Sequence, residues 1–234
     1  MKKLIALLLA AMLIFTLAAC STGQNDDTQT EPPASDVNAP ETPSATEGQE
    51  NADGENKILI AYFTAAENSD VDAVSSASVV VVDGVAKGSV QAVADMIQAE
   101  TGGDLFSIQT EFDYPGDIME LIDYADGEQE REERPVLVTH IENLEEYDTV
   151  FIGYPNWWYD MPMAMYSFFE EYDFSGKTII PFNTHRGSRF SSTISTIQEL
   201  EPEATVIEDG FTFPGDDAAD AAADVAAWLA DLDY

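Results

Sequence analysis

The sequence predicts an α/β fold built on a doubly wound parallel sheet of five strands, and three observations carry that prediction. Short apolar runs recur through residues 57–234, helical patterns separate them, and one run ends in a dense group of aromatic residues. Strands alternating with helices give a parallel sheet covered on both faces.

The first run, Lys57-Ile58-Leu59-Ile60-Ala61-Tyr62-Phe63, is continuously apolar, as expected of a strand buried on both sides. Similar runs at 105–108, 149–153, 178–182 and 205–207 supply the other four strands. Between them, residues 89–100 set Val90, Val93, Ala94 and Ile97 on one helical face, with Thr101-Gly102-Gly103 as a stop. Residues 117–134 group Ile118, Leu121 and Ile122, and Pro162 starts a helix carrying Met165, Tyr166 and Phe169. The last two helices are expected at 191–200 and 216–232. One stretch breaks the alternation. Residues 67–87 read as an insertion between the first strand and first helix, with a hairpin turn at Asp83-Gly84. It is expected either to act as a lid over a ligand crevice or to cover the sheet edge.

In open parallel sheets, ligands bind beyond the carboxyl ends of the strands, at the point where the strand order reverses. In the order 2-1-3-4-5, three loops meet there. Thr64-Ala65-Ala66-Glu67 follows the first strand and Gly88-Ser89-Val90-Gln91 opens the first helix, where hydroxyls and free amides suit a phosphate. Ser89 read alone is an ordinary helix cap. Tyr154-Pro155-Asn156-Trp157-Trp158-Tyr159 follows the third strand. Its rings suit a flat aromatic ligand, or else they cover a core edge. Asn183-Thr184-His185-Arg186-Gly187-Ser188-Arg189 follows the fourth, small enough for backbone amides to approach a heterocycle.

Lys2, Lys3, the apolar stretch 4–19 and Leu17-Ala18-Ala19-Cys20 form a secretory signal. A signal ending on Cys resembles that of bacterial lipoproteins, which implies cleavage before Cys20 and lipid on its sulfur. The expected organisation is a signal peptide at 1–19, lipidated Cys20 with an acidic linker at 20–56, and one domain at 57–234. The linker is too polar to fold, and the expected location is extracytoplasmic, anchored in the membrane by the lipid. Cys20 is the single cysteine, so no internal disulfide is available. The chain carries 45 Asp or Glu against 9 Lys or Arg, a formal charge of −36. Loss of Lys2 and Lys3 leaves seven basic residues against those 45 acids, a balance of −38. Such a surface repels phosphate backbones, which argues against nucleic-acid binding. No Gly-x-Ser-x-Gly, Walker or Gly-x-Gly-x-x-Gly motif occurs.

Gly153–Trp158, Met161-Pro162-Met163, residues 174–182 (Phe-Ser-Gly-Lys-Thr-Ile-Ile-Pro-Phe) and Thr184-His185-Arg186-Gly187-Ser188 together resemble the flavodoxin-like family, over residues 57 to about 232. The resemblance implies the flavodoxin-like strand order 2-1-3-4-5 and one non-covalent FMN. The phosphate would lie near Thr64, Ala65, Ser89 and Val90, and the ring near Pro155, Asn156, Trp157, Trp158, Tyr159, Thr184, His185, Gly187 and Ser188. One departure stands out: the Thr/Ser-rich loop of short-chain flavodoxins is replaced by Thr64-Ala65-Ala66 and the insertion. The leading expectation is FMN-based electron transfer with a redox partner protein or small-molecule acceptor, tuned by surrounding carboxylates and with no metal or catalytic side chain. Two alternatives stay open: an NAD(P)H-dependent FMN quinone or flavin reductase with His185 as proton donor, and a flavin-free binding module on the same fold.

Overall fold

The computed structural model describes residues 56–72, 74 and 76–232. The expected signal peptide, Cys20 and the linker lie outside the described residues, apart from Asn56 at the linker's end. The chain runs β1 (Ile58–Tyr62), the antiparallel pair β2 (Val79–Val82) and β3 (Val85–Gly88), α1 (Ser89–Thr101), β4 (Asp104–Ser107), α2 (Ile118–Glu130), β5 (Thr149–Pro155), α3 (Met163–Glu171), β6 (Thr178–His185), α4 (Thr193–Leu200), β7 (Thr205–Val206), β8 (Phe211–Pro214) and α5 (Ala222–Asp231).

The main sheet has the order β4-β1-β5-β6-β7, with β8 also on β6, and every pairing in it is parallel. Period-two alternation along the strands makes two cores. Leu59, Ala61 and Phe63 of the first strand segment join Val150, Ile152 and Tyr154 on one face, under Leu121 of α2, Met165 and Phe168 of α3 and Ile197 of α4. Ile60, Tyr62, Phe151, Ile180 and Phe182 face the other way, onto Val93 and Ile97 of α1 and Val225 and Leu229 of α5. Each fully buried ring, such as Phe151, Phe168 or Phe182, contributes roughly 1.5–3 kcal/mol of transfer free energy. Gly153 is required at the centre of β5, because a Cβ there would sit 2.1 Å from the Phe182 ring.

Two elements differ from the sequence expectation. The fifth strand is split, giving six strands: β7 pairs at Thr178 and Ile179, and β8 resumes at Phe182. The gap falls beside Pro181, which has no amide hydrogen to give to the edge. The expected helix over 216–232 is a 3-10 segment, Gly215–Asp220, followed by α5.

The Asp83-Gly84 turn is present, with φ of 51° and 80°, the two-residue hairpin geometry that matches strand twist. The hairpin seats Val80 in the second core, among α1 and the 3-10 segment. It therefore packs on the layer formed by α1 and the 3-10 segment, and of the insertion's described residues only Ser78 lines the cavity beyond β5 and β6.

Candidate functional site

A cavity of about 520 Å³ opens at the carboxyl ends of β5 and β6. Its walls come from six segments of the chain, and the larger ones have a local reason to be there.

The aromatic wall follows β5. Trp157 and Asp160 exchange two backbone hydrogen bonds, each 2.9 Å, closing a two-residue turn whose central residues are Trp158 (φ 50°) and Tyr159 (φ 67°). Bulky side chains rarely adopt positive φ, so the turn persists only where its surroundings over-determine it. They do so here. The Trp158 indole donates to the Ile122 carbonyl of α2 at 2.9 Å, and the Asp160 carboxylate accepts from the Tyr166 hydroxyl and the Met161 amide, both at 2.8 Å. Trp158 and Tyr159 remain 45% and 69% exposed. Trp157 is partly buried and packs edge-on against Phe63 and Tyr114, with centroids 5.6 and 5.5 Å away. The two expected roles are thus shared out: Trp157 covers a core edge and lines the cavity, while its two successors stand at the rim.

Joined to them through the Trp158–Ile122 hydrogen bond is an apolar wall from α2: Ile118, Leu121, Ile122 and Ala125, one helical stripe at spacings of three and four. The sequence showed the stripe, and nothing in the pattern separated a cavity wall from core.

The loop after β6 supplies Thr184, His185, Arg186, Gly187 and Ser188. The Gly187 amide donates to His185 Nδ1 at 2.8 Å, so the imidazole carries its hydrogen on Nε2. Burial, with Arg189 as the second cause, holds His185 below the usual histidine range and keeps it neutral at pH 7. Arg186 pairs with Asp216 at 2.6 Å. Asn156 donates through Nδ2 to the Arg189 carbonyl at 2.9 Å, which ties this loop to the aromatic one and leaves its buried Oδ1 without a partner.

At the polar end, Ser89 Oγ and Thr184 Oγ1 are 3.3 Å apart beside Ser78 and Gly215. The amide of Ser89, first residue of α1, donates to the Ser78 carbonyl at 2.8 Å. The insertion thus reaches the site through one serine. A helix start with clustered hydroxyls favours an anion.

Of the residues expected from the sequence, Ser89, Pro155, Asn156, Trp157, Trp158, Tyr159, Thr184, His185, Gly187 and Ser188 converge on this cavity. Thr64, Ala65 and Val90 do not line it. Thr64 is packed beneath Gly88, so closely that a Cβ on Gly88 would lie 2.0 Å from its Oγ1. Ser78, Gly215 and the use of the α2 stripe as a wall were not foreseen, while Arg186, of which a phosphate or carboxylate partner was expected, is paired with Asp216. Carboxylates were expected around the ligand, yet among the described residues that line the cavity there is none. No group of His, Cys, Asp or Glu among the described residues could hold a metal ion.

The family model described as flavodoxin matches residues 77–232. Among solved structures, the chain is similar to a protein provisionally described as a flavoprotein from Bacteroides uniformis, at 26% identity and a TM-score of 0.58 over 75% of this chain and 98% of that one. A second such protein, from Bacteroides eggerthii, has 28% identity and a TM-score of 0.54 over 74% and 99%. A flavoprotein from Lactobacillus acidophilus in complex with FMN shares the fold at 18% identity and a TM-score of 0.51, over 75% and 99%. No curated protein matches the sequence.

Proposed function

The chain belongs to the flavodoxin family, and on that premise we propose that it binds one FMN in the cavity beyond β5 and β6 and transfers electrons outside the membrane, tethered by lipid on Cys20. The observation that carries the reading is chemical zoning. A cavity of about 520 Å³ has an aromatic wall, an apolar wall, a hydroxyl-lined end at a helix start, and no carboxylate among its described lining residues, in a chain of formal charge −36. That combination suits a flat, largely apolar molecule with an anionic end.

The residues present fit FMN. Ser89, Thr184 and Ser78 would hold the phosphate, in place of the Thr64 and Ala65 expected from the sequence. The unpartnered Asn156 Oδ1 offers an acceptor to a ring N–H. His185 offers Nε2–H as a donor to a ring carbonyl. Among the described residues the Trp157 indole N–H has no protein partner, whereas those of Trp158 and Trp228 are taken by the Ile122 and Asp209 carbonyls. Trp158 and Tyr159 would shield the ring from water at the rim. When bound, FMN supplies the redox chemistry, and the protein supplies position and electrostatics. No side chain acts as nucleophile. The partner is a redox protein or a small-molecule acceptor.

The visible spectrum of freshly purified protein, followed by FMN titration, tests the reading. A yellow sample, or quenching of FMN fluorescence at one equivalent, is expected. A colourless sample that neither binds nor quenches FMN would favour a flavin-free binding module. Steady-state oxidation of NAD(P)H with an added quinone would move the assignment to a reductase. Replacement of Cys20 by Ser should release the protein from the membrane fraction.

A further inference from the structure

Glu128 is the one charged side chain of α2 that is almost completely buried, at 1% exposure, and the proposed function makes no use of it. Its Oε1 accepts a 2.9 Å hydrogen bond from the hydroxyl of Tyr114, itself fully buried, while among the described residues Oε2 has no well-formed hydrogen bond and only the Met163 amide approaches the carboxyl from α3. The Tyr114 ring stands edge-on to Trp157 at 5.5 Å, to Phe63 at 5.5 Å and to Tyr124 at 5.6 Å. Trp157 in turn lines the cavity, and its indole N–H has no protein partner among the described residues. A continuous line of contacts thus runs from a buried carboxyl, through one phenol, to an indole in the wall of the site.

We infer that Glu128 is a positioning residue: through Tyr114 it sets the placement of Trp157, so the contact this indole makes with a ligand follows the protonation of Glu128. An ionised carboxylate accepts a shorter, stronger hydrogen bond from a phenol than a carboxylic acid does. Ionisation therefore holds the Tyr114 ring, and Trp157 against it, more firmly. The surroundings put the transition within reach. Burial is the largest influence on Glu128 and raises it to about 7; the Tyr114 hydroxyl opposes this, Glu133 adds to it, and the Met163 amide and Arg131 oppose it. Tyr114 faces the carboxyl from the segment before α2, and Tyr124, Arg131 and Glu133 from α2 and its continuation. The start of α3 presents only the Met163 amide to it.

The test is indole ¹H–¹⁵N NMR of the full chain without flavin, from pH 5.5 to 8.5, with Trp157 assigned by its loss in Trp157→Phe. The Trp157 signal should move with one midpoint near 7, while Trp158 and Trp228 stay still. Glu128→Gln keeps an acceptor for Tyr114 and removes the charge, so the midpoint should vanish. Tyr114→Phe should shrink the Trp157 shift at least twofold, and it keeps the test decisive should Glu128→Gln fail to fold. A Trp157 signal that is flat in the wild type, or that titrates unchanged in Glu128→Gln, overturns the inference. For FMN as the ligand, this rests on the proposed function, and a second arm separates the two. Wild-type Kd should be at least threefold tighter at pH 8 than at pH 6, measured relative to Glu128→Gln. Absence of FMN binding at both pH values overturns the FMN reading and leaves the indole result standing. Binding with no pH dependence beyond that of Glu128→Gln overturns the link to the ligand.

Discussion

The Asp83-Gly84 turn and the Trp158-Tyr159 turn both place their two central residues at positive φ, yet they reach that shape by opposite routes. Asp and Gly adopt left-handed conformations readily, so the hairpin turn follows from its own two residues. Trp and Tyr resist them. Their turn exists because the Ile122 carbonyl holds the Trp158 indole and because Tyr166 and Met161 hold Asp160. The first turn ends a hairpin that packs on α1 and the 3-10 segment. The second forms a wall of the cavity. Backbone strain and exposed rings coincide at the position where a ligand would be gripped, and they are absent from the turn with a structural role only.

The largest effect that separates the two regions comes from pH, because only the aromatic turn is linked to a buried carboxyl. Glu128 is raised from an ordinary 4.5 to about 7, so the folded state holds its proton over a range where the unfolded chain has lost it. Stability from this group is therefore undiminished below pH 4.5, falls as pH rises to 7, and is level above that. The full difference is at most roughly 3 kcal/mol, at 1.36 kcal/mol per unit. Thermal melts at pH 5 and 8 should show the loss in the wild type and a smaller loss in Glu128→Gln. Equal slopes would remove the link.

Next in size is an exchange of one turn's chemistry for the other's. Replacing Trp158-Tyr159 by Asn-Gly should leave the fold as stable or up to about 1 kcal/mol more stable, through relief of left-handed strain. FMN affinity should fall at least fivefold, through loss of two ring contacts worth about 0.5–1.5 kcal/mol each. Calorimetry of folding and an FMN titration on one sample would read both, and unchanged FMN affinity would take the rim rings out of the site. The reciprocal change, Gly84→Val, puts a β-branched residue at φ 80° and should lower stability by about 1–2 kcal/mol with FMN affinity unaltered. A denaturant midpoint together with the same titration checks it. The smallest effect is expected of Trp158→Phe, which keeps a ring and removes the hydrogen bond to Ile122. A loss of about 0.5–1 kcal/mol should appear in the chemical melt.

The same contrast explains what was legible. Asp83-Gly84 announces its turn because the preference is intrinsic to the two residues, whereas nothing in Trp158-Tyr159 does. The strands over 57–63, 149–153 and 178–182 were legible because strands buried on both faces read as unbroken apolar runs. Phe211-Thr212-Phe213 was not, since a short run after Gly210 looks like loop until Pro181 is seen to interrupt the edge it completes. At the site, the loops after the third and fourth strands were legible from aromatic density and from small polar residues. Ser78 was not, because its place depends on one backbone hydrogen bond to Ser89 across a hairpin. Thr64 looked like a phosphate ligand by position, and close packing under Gly88 removes it from the cavity wall.

The sequence by itself determined the alternation of strands and helices, the hairpin and the presence of rings beyond the third central strand, because periodicity and local conformational preference are written residue by residue. Tertiary structure alone decided which face of α2 became a wall, which hydroxyls met at the start of α1, and that the lining carries no carboxylate among its described residues. Those outcomes depend on which distant segments come to lie side by side, and burial and hydrogen bonding are satisfied only between segments the linear pattern leaves far apart.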